Sequence, residues 1–116
     1  MKYDGTMLIT EQLQECQRFY SALLGAQSDP GAGWARFSLA DGSWLALHTP
    51  WQPGMTTSGG SQVMLLEVEA LEAEVERLTV AGITCSEPHD IPGGAVVTIN
   101  DPDGRTIQLI AYSAES

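Results

Sequence analysis

Gln108 is a neutral amide in the run DPDGRTIQLI, between the apolar neighbours Ile107, Leu109 and Ile110, and His48 ends the comparable run SWLALH. Each offers an N or O donor in a strand-like setting, where it holds a metal, fixes a ligand, or does neither. A divalent ion needs three or four such donors, normally with a carboxylate among them, because a neutral set binds a hard dication weakly. An organic ligand needs apolar area with few polar fixing groups. Trp34, Arg36 and Trp44, close to His48 in sequence, suit that second chemistry. Acid–base work by His48 would need a carboxylate beside it, and none is expected on its face. His89, in SEPHDIPGG, reads as part of an exposed loop, and Gly59-Gly60 and Gly93-Gly94 read as loop punctuation rather than a phosphate cradle.

The elements that must position these residues follow from periodicity. Residues 3–9 read as a strand and 11–24 as a helix, with Leu13, Cys16, Tyr20, Leu23 and Leu24 at three- and four-residue steps and Gly25 as its stop. Strands at 34–39 and 44–49 are joined around Asp41-Gly42, a hairpin signal. The cycle then restarts: a strand at 62–68, a helix at 70–81 through Leu71, Val75 and Leu78 with Gly82 as its stop, a short strand at Ile83 to Ser86, and a hairpin of 95–100 and 105–112 around Asp103-Gly104. Pro, Gly and Ser in PWQPGMTTSGGS mark a linker at about residues 50–61. The chain is therefore one α+β domain over 1–116, with module 1 at about 1–52 and module 2 at about 62–114. Each module reads as β-α-β-β, extendable to β-α-β-β-β.

Alternate strand residues share a face. Leu45, Leu47, Ile107 and Leu109 suit packing on the helices, which leaves Trp44, Ala46 and His48 on the other face of one module and Thr106, Gln108 and Ile110 on that of the other. Their hairpin partners are Trp34, Arg36 and Ser38, and Val96, Thr98 and Asn100; Gly5, Met7, Gln62 and Met64 complete the set. An ordinary solvent face would carry Lys, Glu and Thr. This one is the mixture of a pocket, or else of a subunit interface.

Composition narrows the partners. Fifteen acidic residues against five basic ones give a formal charge of −10. Nucleic acid and anionic membrane need a cationic footprint, which five scattered Lys and Arg do not supply. The acidic run from Glu67 to Glu76 reads as a solvated helix face. No apolar run approaches the roughly 18 residues of a membrane span, and MKYDGTMLITEQLQ turns polar too early for a signal peptide. A cytoplasmic protein is expected, with Cys16 and Cys85 as reduced thiols.

FYSALLGA after a strand, the central VEALEAEVERLTVAGI and the terminal DPDGRTIQLI together resemble the vicinal oxygen chelate superfamily of glyoxalases, extradiol dioxygenases, fosfomycin-resistance enzymes, methylmalonyl-CoA epimerases and bleomycin-resistance proteins. The resemblance implies paired β-α-β-β-β modules forming a curled mixed sheet, a cup with helices on its outer face, commonly in a homodimer. It also implies a divalent metal in the cup, held by His, Glu or Gln from the first and last strand of each module. Carried onto this chain, the first-strand positions are Gly5 and Gln62, or Val63 in a register one residue away, and the last-strand positions are Ala46 and Gln108. Gly5 and Ala46 have no donor; Asp4, beside Gly5, should face the other way. The expectation is thus a metal-free, cofactor-free binder of an aromatic or amphipathic small molecule, resembling the bleomycin-resistance proteins, with Trp34, Arg36, Trp44, His48, Gln62, Met64 and Gln108 as ligand contacts. Trp51 is a further aromatic at the linker. The alternatives are a metal-dependent lyase, isomerase or dioxygenase of the glyoxalase type using His48, Gln62 and Gln108, and a protein-interaction module whose cup face is the interface.

Overall fold

The computed structural model describes residues 1–55 and 62–113, so part of the expected linker, residues 56–61, and the expected module end at 114 lie outside the described residues. The chain divides into two compact units, Met1–Ser58 and Gly59–Ser116. The first runs β1 (Gly5–Ile9), α1 (Leu13–Leu24), β2 (Asp29–Gly31), β3 (Trp34–Ser38) and β4 (Trp44–His48). The second repeats it as β5 (Val63–Glu67), α2 (Leu71–Val80), β6 (His89–Ile91), β7 (Gly94–Asn100) and β8 (Thr106–Tyr112). Each unit has its own four-stranded mixed sheet, ordered β1-β4-β3-β2 and β5-β8-β7-β6. First and last strands pair in parallel and the remaining pairs are antiparallel. The α+β class and the two β-α-β-β-β modules are as the sequence implies. Among the described residues no helix is long and apolar enough to cross a membrane.

Amphipathicity settles which face each helix covers. Cys16, Tyr20 and Leu23 of α1 are buried, as are Ala35, Phe37, Leu45 and Leu47 of β3 and β4, the strands α1 packs on. Tyr20, Phe37 and Leu47 are fully buried, and side chains of this size contribute about 1.5–3 kcal/mol each. Gly25, in the left-handed region at φ 64°, ends α1 and donates its N–H to Ser21 O. In the second unit Leu78 of α2 plays the part of Tyr20, with Val97, Ile99, Ile107 and Leu109 buried on β7 and β8.

Two edge strands depart from the sequence reading. Asp29-Pro30-Gly31, to which the periodicity assigns no element, is β2, and His89-Asp90-Ile91, which reads as a loop, is β6. Both are three-residue edge strands, and an edge tolerates Pro because one row of its N–H groups faces away from the sheet. The strand expected at Ile83 to Ser86 does not form. Ser86 is nevertheless tied to β7, donating its N–H to Thr98 O at 3.0 Å and accepting the Thr98 N–H on Oγ at 2.8 Å.

The two hairpin turns share one hydrogen-bond pattern. Leu39 N–H donates to Ser43 O at 2.9 Å and Gly42 N–H to Leu39 O at 3.1 Å; Asp101 N–H donates to Arg105 O at 3.0 Å and Gly104 N–H to Asp101 O at 2.9 Å. Gly42 and Gly104 occupy the same left-handed conformation, at φ 88° and 85°. The second turn is the more heavily braced. The buried Asp101 carboxylate accepts the N–H groups of Asp103 and Arg105, both at 2.9 Å, and pairs with the Arg105 guanidinium at 2.8 Å. Arg105 also reaches Asp103 at 3.2 Å.

In the first turn Asp41 is fully exposed, and its hydrogen bonds from the Ser43 hydroxyl and N–H hold its carboxyl below the usual value. A depressed carboxyl contributes stability above its ordinary pKa and loses it as pH falls through the lowered one. Asp101→Ala is therefore expected to cost about 3 kcal/mol in urea unfolding, because Arg105 and two N–H groups lose their acceptor. Asp41→Asn should change stability less at neutral pH and leave a flatter acid limb, read from unfolding curves taken down to the acid transition.

Candidate functional site

The face of the first sheet that α1 leaves uncovered is fixed by the strand register. Gly5, Met7 and Ile9 of β1 stand beside Trp44, Ala46 and His48 of β4. These in turn stand beside Ser38, Arg36 and Trp34 of β3. Gly31 and Asp29 of β2 continue the rows from Trp34 and Arg36. Met7, Trp34, Arg36, Trp44, Ala46 and His48 enclose a hollow of about 370 Å³. The first module's expected site residues are thus brought together by alternation and pairing alone.

The absence of side chains at two places shapes the hollow. A Cβ built at Gly5 would collide with the benzo ring of Trp44, and one built at Gly31 with the indole of Trp34. Each indole lies down on a glycine of the neighbouring strand. Ala46, small and only 6 % exposed, stands between Met7 of β1 and Arg36 of β3.

Polar contacts orient the walls. Trp44 Nε1 donates to the Asp4 carboxylate at 2.8 Å, and the Arg36 guanidinium lies 4.9 Å from the Trp44 ring centre, a cation–π distance. Asp4 precedes β1, so strand alternation does not govern it and the carboxylate bonds Trp44 rather than turning away. His48 Nδ1 donates to Thr49 O at 2.6 Å. A carbonyl only accepts, so the neutral ring carries its proton on Nδ1 and keeps Nε2 as an acceptor. Trp51, exposed, meets His48 edge to face at 4.8 Å.

The second unit corrects the face assignment by one residue. Val63 pairs with Thr106, Leu65 with Gln108 and Glu67 with Ile110, while Met64 pairs with Ile107 on the side that α2 covers. Gln62 lies ahead of β5, outside the register. Hence Val63, not Gln62, corresponds to Gly5, and Met64 leaves the expected face, while Gln62, like Asp4, precedes its strand and is assigned no face by the register. Gln108 stays on it, half-buried between Leu65 and Thr98. His48 belongs to the first unit and Gln62 and Gln108 to the second. His89 is on β6, exposed.

Sequence reasoning missed Asp4 and Gly31 as parts of the site. Asp4 lacks a strand phase to betray it. Gly31 is legible only once β2 is known to pair with β3, since its role is to lie under Trp34.

The chain matches the family model described as Glyoxalase/Bleomycin resistance protein/Dioxygenase superfamily over residues 2–109. No curated protein matches it. Among solved structures it is similar to a glyoxalase/bleomycin resistance protein from Catenulispora acidiphila, at 22% identity and a TM-score of 0.76, covering 97% of this chain and 100% of that one. It is also similar to the fosfomycin resistance protein FosX from Mesorhizobium loti, at 14% identity and a TM-score of 0.71, covering 98% of this chain and 93% of that one. The oxidase ChaP-H1 matches at 16% identity and a TM-score of 0.78, covering 100% of this chain and 99% of that one. At these identities the structural likeness speaks for the fold.

The packing of Trp44 on Gly5 yields a direct expectation. Gly5→Ala should lift the indole off β1, weaken its bond to Asp4 and cost about 1–3 kcal/mol in urea unfolding. The near-ultraviolet circular dichroism of the tryptophans should change with it.

Proposed function

Because the chain belongs to the glyoxalase/bleomycin resistance protein/dioxygenase superfamily, we propose that it binds a small aromatic or amphipathic molecule without a metal, in the hollow of the first unit. The observation that carries this reading is the convergence of Trp34, Trp44, Arg36 and His48 around Ala46. A volume of about 370 Å³ falls within the roughly 300–1,000 Å³ of small-molecule clefts. Two indoles supply flat apolar area, each ring contact worth about 0.5–1.5 kcal/mol beyond burial. Arg36 and the His48 Nε2 supply the few polar groups that fix orientation.

The metal positions that the family resemblance implies support the same reading. They carry Gly5, Ala46, Val63 and Gln108, and Gln108 is the one side chain of the four with a donor atom, a neutral amide. The Trp44 ring fills the room above Gly5 where a ligating side chain would start. This set does not fit a hard divalent ion. The metal-dependent alternative needs His48, Gln62 and Gln108 together, and Gln62 stands outside the β5–β8 register. The fosfomycin resistance protein and the oxidase among the structural neighbours show how far activities diverge on this fold, so the side chains of this chain carry the assignment. The reading retains a homodimer, to be checked by sedimentation.

The first measurement is metal content by elemental analysis, on protein purified without chelator and again after incubation with Ni, Zn, Mn and Fe(II). Substoichiometric metal in every case is expected; tight stoichiometric binding lost in His48→Ala would replace the binder by the metal-dependent reading. A ligand found by indole quenching should bind Trp44→Ala roughly tenfold more weakly. A partner protein that covers the tryptophans, with no small molecule quenching them, would favour the interaction module.

A further inference from the structure

Resting on the binding reading above, we propose that the hollow of the first unit takes an aromatic acid: its carboxylate on Arg36, its ring over Ala46, and a hydroxyl of that ring on His48 Nε2.

Arg36 is the first ground. Among the described residues it forms no ion pair, which it shares with Lys2 and Arg18, but of these three it alone lines the hollow; Arg77 pairs with Glu74 and Arg105 with Asp101 and Asp103. Asp29 stands opposite it in the β2–β3 register, yet the guanidinium rests on the Trp44 ring instead. A ring contact uses the π face and consumes none of the five N–H donors, which leaves the planar fork free for a carboxylate. Asp4 does not compete for it, being engaged by Trp44 Nε1.

His48 is the second ground, because the bond to Thr49 O places a proton on Nδ1, and in the neutral ring Nε2 then accepts. To the neutral ring a ligand brings a donor. Spacing joins the two. Arg36 faces Ala46 and Trp34 faces His48, so Arg36 and His48 are diagonal neighbours across the β3–β4 pair. Such positions stand roughly 7–8 Å apart. The guanidinium leans toward Trp44, on the far side of Ala46 from His48, so the proposed ligand lies across Ala46 with its acid toward Arg36 and its hydroxyl toward His48. The formal charge of −10 pulls the other way, toward cations. Carboxylates beyond the Debye length of about 8 Å are largely screened; Asp29 and Asp4 stand nearer and oppose an acid, against which the proposal sets direct contact with the guanidinium.

The test is isothermal titration calorimetry of the full chain with four probes: 4-hydroxybenzoate, benzoate, 4-hydroxybenzamide and 4-hydroxybenzamidine. Expected is 4-hydroxybenzoate binding about tenfold or more tightly than the amide, with the amidine weakest. Arg36→Gln should erase the preference of acid over amide, and Arg36→Lys should restore part of it. His48→Phe should bring 4-hydroxybenzoate down to the affinity of benzoate. Amide or amidine binding as tightly as the acid to the unaltered protein would overturn the proposal and leave the binding reading standing. No binding of any probe would overturn the proposal, and indole quenching by other small molecules would then decide the binding reading. The charge series on the unaltered protein needs no variant, so misfolding of a substituted chain cannot stand in for either result.

Discussion

When an indole lies on the backbone of the next strand, the residue beneath it has no room for a side chain, and the first unit meets that condition at both ends of one face. Trp44 lies on Gly5 and Trp34 on Gly31. From the first contact much else follows: the ring edge reaches Asp4, its face receives Arg36, and the space over Ala46 stays open. A larger residue at Gly5 would stand the ring upright and alter all three together. The glycines are therefore as much a part of the site as the tryptophans.

The two units show how one duplicated plan diverges. They share strand order, the parallel pairing of first and last strands, and the hydrogen-bond pattern of the hairpin turn. They differ in length, since β3 and β4 have five residues each and β7 and β8 have seven. They differ also in what braces the turn: a short polar contact at Asp41 and Ser43, against a buried carboxylate holding Arg105 and two backbone N–H groups. On the uncovered faces, Gly5 and Met7 of the first unit correspond to the exposed Val63 and Leu65 of the second. No indole stands on β8, and Thr106 takes the place of Trp44.

Much of this was legible in the residues. Apolar spacing located both helices, and Asp-Gly located both hairpins, because those signals are local. The face of β3 and β4 came directly from alternation, and so did four residues that line its hollow, Trp34, Arg36, Trp44 and His48. The phase of β5 was not legible: VMLLE is apolar at four successive positions, and only the pairing of Val63 with Thr106 decides which residues face which way. That one-residue ambiguity misplaced Met64 and gave Gln62 the position that Val63 holds. The edge strands escaped notice for a different reason, since Pro and Gly signal a turn unless a neighbouring strand is known to accept them.

Pro30 bears on how the molecule meets others of its kind. β2 is the free edge of the first sheet, beside the hollow, and it is three residues long with Pro at its centre and Gly at its end. An extended chain laid along that edge would find a short row of groups with one N–H missing, and Trp34 already lying over the glycine. Sheet growth by strand addition is blocked on this side, so crowding there favours side-chain contact over fibre-like stacking.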